Sequence, residues 1–317
     1  MRLQRFRYLF IVLLFLFGVE AMAQTDISMP SSWYNRANYN PASITRVDYL
    51  YLFSNVRKQW VGVDGAPTTF NIQASEYFND LKSAVGMSLV TDKIGVVQTV
   101  DFMATYAYRM EINRYRWFSM GLSAGIYSRS INGTLYEAAT TTDPSIDYRI
   151  DRVFSPDVNL GFEYQTQHFI YSLSSTHLLS IGKSDNLYLN SNHRYASVIY
   201  KSTDPLLFNY QMGLQLVNRQ NVVVLEGNAC FRFKHQTGLV RGPREVFELG
   251  MTYRTSQQIS LLFGLYLKNN IRVGYVYNQS FSIGYLPNST HELMFEYRIP
   301  KKVSFNHQYH NRDYWYN

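Results

Sequence analysis

A chain of 317 residues could form one large or two ordinary domains, but 46% hydrophobic residues with a mean hydropathy of −0.22 exclude a bundle of membrane helices. Lysine and arginine total 30 against 23 acidic residues, and the resulting +7 is too modest and too scattered to point to nucleic acid. A single cysteine, Cys230, excludes an internal disulfide framework, while 16% aromatics, led by 27 Tyr, suit a membrane interface where the ring is apolar and the hydroxyl stays wet.

Residues 1–23 have the three parts of an export signal. Arg2, Arg5 and Arg7 precede an apolar run from Leu9 to Val19, and Ala21-Met22-Ala23 forms a small-x-small cleavage site before Gln24. The run is too short to cross a bilayer comfortably, and no later stretch is long and apolar enough for a membrane helix. Insertion into a membrane must therefore use strands. Residues 24–47 are expected to be a periplasmic lead-in, with turn chemistry at Pro30 and at Tyr39-Asn40-Pro41-Ala42-Ser43.

From there, strand-like segments follow one another at about 48–58, 67–75, 83–91, 98–111 and 115–127, and then at 155–165, 168–176, 193–200, 207–217 and 221–234. Val100, Phe102, Ala104, Tyr106 and Tyr108 share a face opposite Asp101, Thr105 and Arg109. Phe118, Met120, Leu122, Ala124 and Ile126 oppose Ser119, Gly121, Ser123 and Gly125, small residues that let strand backbones or lumen side chains approach closely.

Between Val246 and Ile299 the alternation is clearest. Phe247, Leu249, Met251 and Tyr253 alternate with Glu248, Gly250, Thr252 and Arg254, and two more apolar rows follow. The last row, Leu293, Phe295, Tyr297 and Ile299, opposes Glu292, Glu296 and Arg298. At a helical 100° per residue these charges would be smeared around the circumference, so the segments are strands with one apolar and one wet side. Fourteen such strands over 48–299 make the chain all-β: a transmembrane antiparallel β-barrel of outer-membrane type, with lipid outside and a polar lumen. An even count puts both ends of the sheet at the periplasm and the longest loops, 128–154 and 177–192, outside; a tail, 300–317, follows the last strand.

Several stretches carry a resemblance. Tyr39-Asn40-Pro41-Ala42, then Arg57-Lys58-Gln59-Trp60-Val61-Gly62-Val63-Asp64-Gly65-Ala66-Pro67, then Asp92-Lys93-Ile94-Gly95, and His291-Glu292-Leu293-Met294 in the final strand together resemble the PorP/SprF family. The resemblance covers about residues 30–299 and places the chain with the type IX secretion and gliding machinery of Bacteroidetes. It implies an outer-membrane component that anchors periplasmic machinery, including peptidoglycan-binding proteins, or assists export of large surface adhesins. Its candidate residues are Asn40, Pro41, Arg57, Gln59, Trp60, Gly62, Asp64, Gly65, Pro67, Asp92, Lys93, Gly95, His291 and Glu292. Physically the central block is a turn, with Gly62 and Gly65 free to take positive φ, Pro67 starting a strand and Trp60 at interface depth. Compared with similar proteins, the tail from Pro300 and the basic connection Lys234–Arg244 are additions on the periplasmic side.

No His-Glu-x-x-His, cysteine pair, acidic calcium loop or glycine-rich phosphate cradle is present, and the seven His have no partner pattern. No enzyme activity and no cofactor are expected. The charges on the wet rows, among them Asp101, Arg109, Glu163, Glu226, Arg232, Glu248 and Arg254, decide between two remaining readings. Paired in a narrow lumen they lock the barrel shut; unpaired and hydrated they line a passive pore.

Overall fold

The computed structural model describes residues 29–46, 49–135, 149–181, 190–202, 208–219, 222–235, 244–267, 270–281 and 289–300. The expected export signal at 1–23, residues 301–317 of the tail and most of the Lys234–Arg244 connection lie outside the described residues.

Fourteen strands follow in chain order: β1 (Tyr49–Lys58), β2 (Thr68–Phe78), β3 (Ser83–Ile94), β4 (Val97–Asn113), β5 (Arg116–Asn132), β6 (Ile150–Gln165), β7 (Phe169–Thr176), β8 (His193–Lys201), β9 (Phe208–Arg219), β10 (Val222–His235), β11 (Arg244–Arg254), β12 (Gln258–Tyr266), β13 (Ile271–Ser280) and β14 (Ser289–Pro300). Each pairs antiparallel with its sequence neighbours, and β1 pairs with β14 from Tyr49↔Pro300 to Lys58↔His291, which closes the sheet. Closure leaves no strand edge for lipid to meet, the condition under which a sheet can sit in hydrocarbon. Each strand of the sequence reading is present. The wall follows from the alternation. Phe102, Leu122, Leu173, Leu214, Leu261 and Leu293 stay exposed on the outside, while Glu163, Arg232, Glu248 and Glu296 on the intervening positions are buried inside.

Two expectations change. The connection placed at 128–154 is shorter, because β5 runs on to Asn132 and β6 begins at Ile150. Above Leu160, β6 pairs only with β5, while β5 stays paired with β4 as far as Ile131, so the wall rises higher over β4, β5 and β6 than over β7. The larger correction concerns the expected periplasmic lead-in. Its described part, residues 29–46, lies inside the barrel as a plug of three 3₁₀ turns, Pro30–Trp33, Arg36–Asn38 and Pro41–Ile44. Trp33, Tyr34, Asn35, Arg36, Asn40 and Ala42 are each buried at 3% exposure or less. The physical reason is composition: this polar segment carries aromatic rings and hydrogen-bonding side chains that match a polar lumen better than bulk water.

Candidate functional site

Inside the barrel the plug is fixed by a chain of paired groups. Arg36 donates from Nε to Glu163 Oε2 at 3.1 Å and from a terminal nitrogen to Oε1 at 3.3 Å, a two-pronged bond between side chains each 1% exposed. Trp33 Nε1 donates to Glu226 at 3.2 Å, and Asn35 to Gln73 Oε1 at 2.6 Å. Asn40 caps its own turn by accepting from the Ala42 N–H at 3.0 Å, while its amide donates to the Phe162 carbonyl at 3.2 Å. Thr45 meets Ser119 at 2.9 Å, and the Arg46 guanidinium lies 3.8 Å over the Tyr51 ring.

The wall is thinned where the plug touches it. A Cβ at Gly121 would stand 2.4 Å from the Pro41 carbonyl carbon, one at Gly161 2.0 Å from Asn40 Oδ1, one at Gly213 2.4 Å from the Trp33 ring, and one at Gly250 2.0 Å from the Tyr34 oxygen. On the small face of β5, Gly121 thus meets the plug in place of the expected strand backbones or lumen side chains, and Gly125 meets Phe102 and Met103 of β4.

The other lumen charges form an alternating ladder across β10, β11, β13 and β14. Arg232 Nε reaches Glu248 at 3.1 Å, Arg272 bridges Glu248 and Glu296, and Arg298 Nε meets Glu296 at 2.5 Å. Tyr266 and Tyr51 add hydroxyl donors to Glu248 and Glu296 at 3.1 Å and 3.2 Å. Arg254 lies 2.7 Å from Glu226, the residue that also holds Trp33. Between the two readings of the lumen, the arrangement is the paired one: ion pairs buried together, each carboxylate holding two or more donors. Arg109 packs 4.0 Å over the Trp117 ring, at the opposite end of β4 from Asp101's half.

The family-like residues, scattered over more than 230 positions of sequence, converge in space except for Asn40 and Pro41, which belong to the plug. Strand register sets Glu292, Arg57, Thr69 and Asp92 in one row across β14, β1, β2 and β3, with Thr69 donating to Asp92 at 2.5 Å. Arg57 and Glu292 are both buried in the lumen. One position along, Lys58 opposes His291 and Thr68 opposes Lys93. Above that row, the loop from Gln59 to Pro67 closes by Gln59 N–H donating to the Pro67 carbonyl at 2.9 Å. Gly62 at φ 98°, Gly65 at φ 72° and Gly95 at φ 55° take the positive values the turn reading requires, and Gly95 N–H donates to the Gly65 carbonyl at 2.8 Å, tying two loops together. Val61 N–H reaches the Ser289 carbonyl at 3.4 Å, so the rim binds the β14 side as well. Trp60, also at positive φ, is 37% exposed, and Asp64 is exposed in the same loop. His291 faces outward and contacts the Tyr275 hydroxyl at 2.6 Å through Nδ1.

Sequence patterning did not point to one polar cluster at the same long-loop end. Asp157 is hydrogen-bonded to His177 Nδ1, Ser191 Oγ lies 2.8 Å from His193 Nε2, and the two imidazoles meet edge to face at 5.6 Å. The acid thus orients one histidine and the serine meets the other, an arrangement that braces β6, β7 and β8 instead of lining up acid, base and nucleophile on one ring. A shared spacing could not have found it, since Asp157 stands on β6, His177 and Ser191 at the two ends of the β7–β8 connection, and His193 on β8. Among the described residues no group of His, Cys, Asp and Glu forms a metal site.

A closed sheet with an apolar exterior, a charged lumen and an internal plug defines an outer-membrane β-barrel. The chain belongs to the PorP/SprF family, described as type IX secretion system membrane protein PorP/SprF, which it matches over residues 21–297. It resides in the outer membrane. No curated protein matches it by sequence. Solved structures with similarity include Omp33 of Acinetobacter baumannii, at 10% identity and a TM-score of 0.45, covering 80% of this chain and 99% of that one. The toluene transporter TodX of Pseudomonas putida has 7% identity and a TM-score of 0.48 over 85% and 95% of the two chains. A FadL homologue of Pseudomonas aeruginosa has 11% identity and a TM-score of 0.41 over 84% and 92%. Likenesses this distant carry no weight for function; the fold rests on the chain's own strand pairing.

Proposed function

We propose that this barrel is a non-enzymatic, closed scaffold of a type IX secretion or gliding apparatus, which holds other proteins by its ends and does not pass solutes through its lumen. The observation that carries this reading is the plug: residues 29–46 fill the interior and are held by Arg36–Glu163, Trp33–Glu226 and the glycine-lined wall. A barrel meant to conduct gains nothing from burying an arginine, a tryptophan and two carboxylates in its bore. The rim built by the loop 59–67, Gly95 and the start of β14 is the surface we assign to a partner, because it presents Trp60 and Val61 beside Lys58 and Lys93. A large secreted surface protein fits that end, and periplasmic machinery or peptidoglycan-binding proteins fit the other.

The test is a pull-down of the tagged mature protein from detergent-solubilised outer membrane, with partners identified by mass spectrometry. Recovery of peptidoglycan-binding periplasmic proteins or giant surface adhesins supports the scaffold. Recovery of the barrel alone, with open-pore conductance in planar bilayers, would replace it with the passive-pore reading.

A further inference from the structure

We propose that the outer wall over β5 to β9 binds one anionic phospholipid in a built site, with the headgroup between the β4–β5 and β6–β7 turns and an acyl chain in the groove above them. The headgroup recess has a volume of about 660 Å³ and is lined by Arg114, Tyr115 and Arg116 from one turn and Gln167, His168 and Phe169 from the other. Both turns lie at the end of the barrel where β1 begins, the short-turn end that faces the periplasm.

Directly along the same strands, a second concavity of about 430 Å³ opens on the lipid face. Phe118, Phe162, Tyr171 and Leu173 wall it, and Ala196, a small residue on the outward row of β8, leaves the floor low. Arg116 and Phe118 are two residues apart on one outward row of β5, and Phe169 and Tyr171 two apart on one row of β7. Two residues of strand span roughly 7 Å, about the distance from a lipid phosphate to the first carbons of its chains. The recess and the groove are therefore placed head to tail for one amphiphile.

Charge and position choose the occupant. Arg114 and Arg116 are exposed, and among the described residues neither has a carboxylate within ion-pair distance; the neighbouring acid, Glu111, pairs with Arg109 at 3.7 Å. Cations at the boundary of an apolar wall complement a headgroup phosphate, and an aromatic band marks that boundary: Phe169 meets Tyr200 at 5.3 Å, His168 stacks on Tyr200 at 6.1 Å, and Tyr200 meets Tyr210 at 5.8 Å. A peptide in the groove would bring backbone N–H and C=O groups to the depth of Leu173 and Leu214, where the wall offers them no partners; an acyl chain carries none.

The site is tested with the full mature barrel in detergent micelles doped with equal phosphatidylglycerol and phosphatidylcholine, read by native mass spectrometry as lipid retained per folded barrel. The wild type is expected to retain a single phosphatidylglycerol in preference to phosphatidylcholine. At about fivefold per arginine, Arg114→Gln with Arg116→Gln should lower that preference about 25-fold. Ala196→Phe, which fills the groove and leaves both arginines in place, should reduce retention of either lipid. Equal retention of the two lipids by the wild type would overturn the proposal, as would an unchanged preference in the double variant. Full competition by free glycerol phosphate would also overturn it, because a soluble phosphate site needs no acyl groove.

Discussion

Arg36 and Glu163 lie 127 residues apart in sequence and 3.1 Å apart in the lumen, each 1% exposed, and their two hydrogen bonds join the plug to the barrel wall. Gln165 also donates to Glu163, so the carboxylate is satisfied from both sides. Arg36→Ala should leave that carboxylate buried without its cation, at a cost of about 3–5 kcal/mol, whereas replacing both residues by apolar ones of similar volume should cost far less. Heat modifiability of the folded band on gels measures this. A single variant no less stable than the double one would show that the pair does not anchor the plug.

The lone thiol reports on the same packing. Cys230 is buried in one cluster with Trp33 and Tyr34, and strand register sets it opposite Gly250, where an added Cβ would meet the Tyr34 oxygen at 2.0 Å. Gly250→Val should therefore push the plug aside at a cost of about 1–3 kcal/mol and raise maleimide labelling of Cys230 in the folded barrel by on the order of tenfold. Leu262→Ala supplies the contrast. It loosens the same cluster from the wall side without touching Tyr34's position, and labelling should rise less.

At the rim, the loop from Gln59 to Pro67 depends on backbone that only glycine adopts freely. Gly62 at φ 98° has open space within 4 Å of where a Cβ would stand, so Gly62→Val carries a conformational cost alone, about 1–2 kcal/mol. Gly65→Val, at φ 72°, carries the same conformational cost, and because the Gly65 carbonyl accepts from Gly95 N–H at 2.8 Å a backbone shift there should also disturb the bond between the two loops. Limited proteolysis should cut both variants within 59–67 faster than the wild type, Gly65→Val more so, while the barrel itself stays heat-modifiable. Equal resistance of all three would mean the loop tolerates other geometries.

The wall was legible in the sequence because two solvents act on each strand at once. Phe247, Leu249, Met251 and Tyr253 meet lipid while Glu248 and Arg254 meet the lumen, so the period of two survives along most strands. The rim was legible only by resemblance, since its register comes from β1, β3 and β14 meeting in space. The plug was not legible. Its 3₁₀ turns are too short for an apolar period, and its burial is polar, as in Asn35, Arg36 and Asn40, which in sequence look like a solvated segment. The signal for it stood on other strands: Gly121, Gly161, Gly213 and Gly250, each on a wet row and each against the plug.

Whether the lumen conducts follows from what the plug displaces. With residues 29–46 in place, Trp33 and Tyr34 occupy the bore between Gly213 and Gly250, and Glu226 and Glu163 are held by Trp33, Arg254 and Arg36. Removing Pro30–Ile44 while keeping residues 1–29 would strip Glu163 of its arginine, leaving it Gln165 alone, while Glu226 keeps Arg254, and would empty a passage through fourteen strands, a circumference wide enough for water. The remaining ladder of Arg232, Glu248, Arg272, Glu296 and Arg298 is held by wall residues alone, so one side of the passage keeps its charge pairing and the strands keep their register. The intact protein in planar bilayers is therefore expected to show no steady open level, and the deletion variant a steady one with cation preference from Glu163, which alone loses its cation. A steady open level in the intact protein, unchanged by the deletion, would place the ion path elsewhere than through the plug and return the chain to the pore reading.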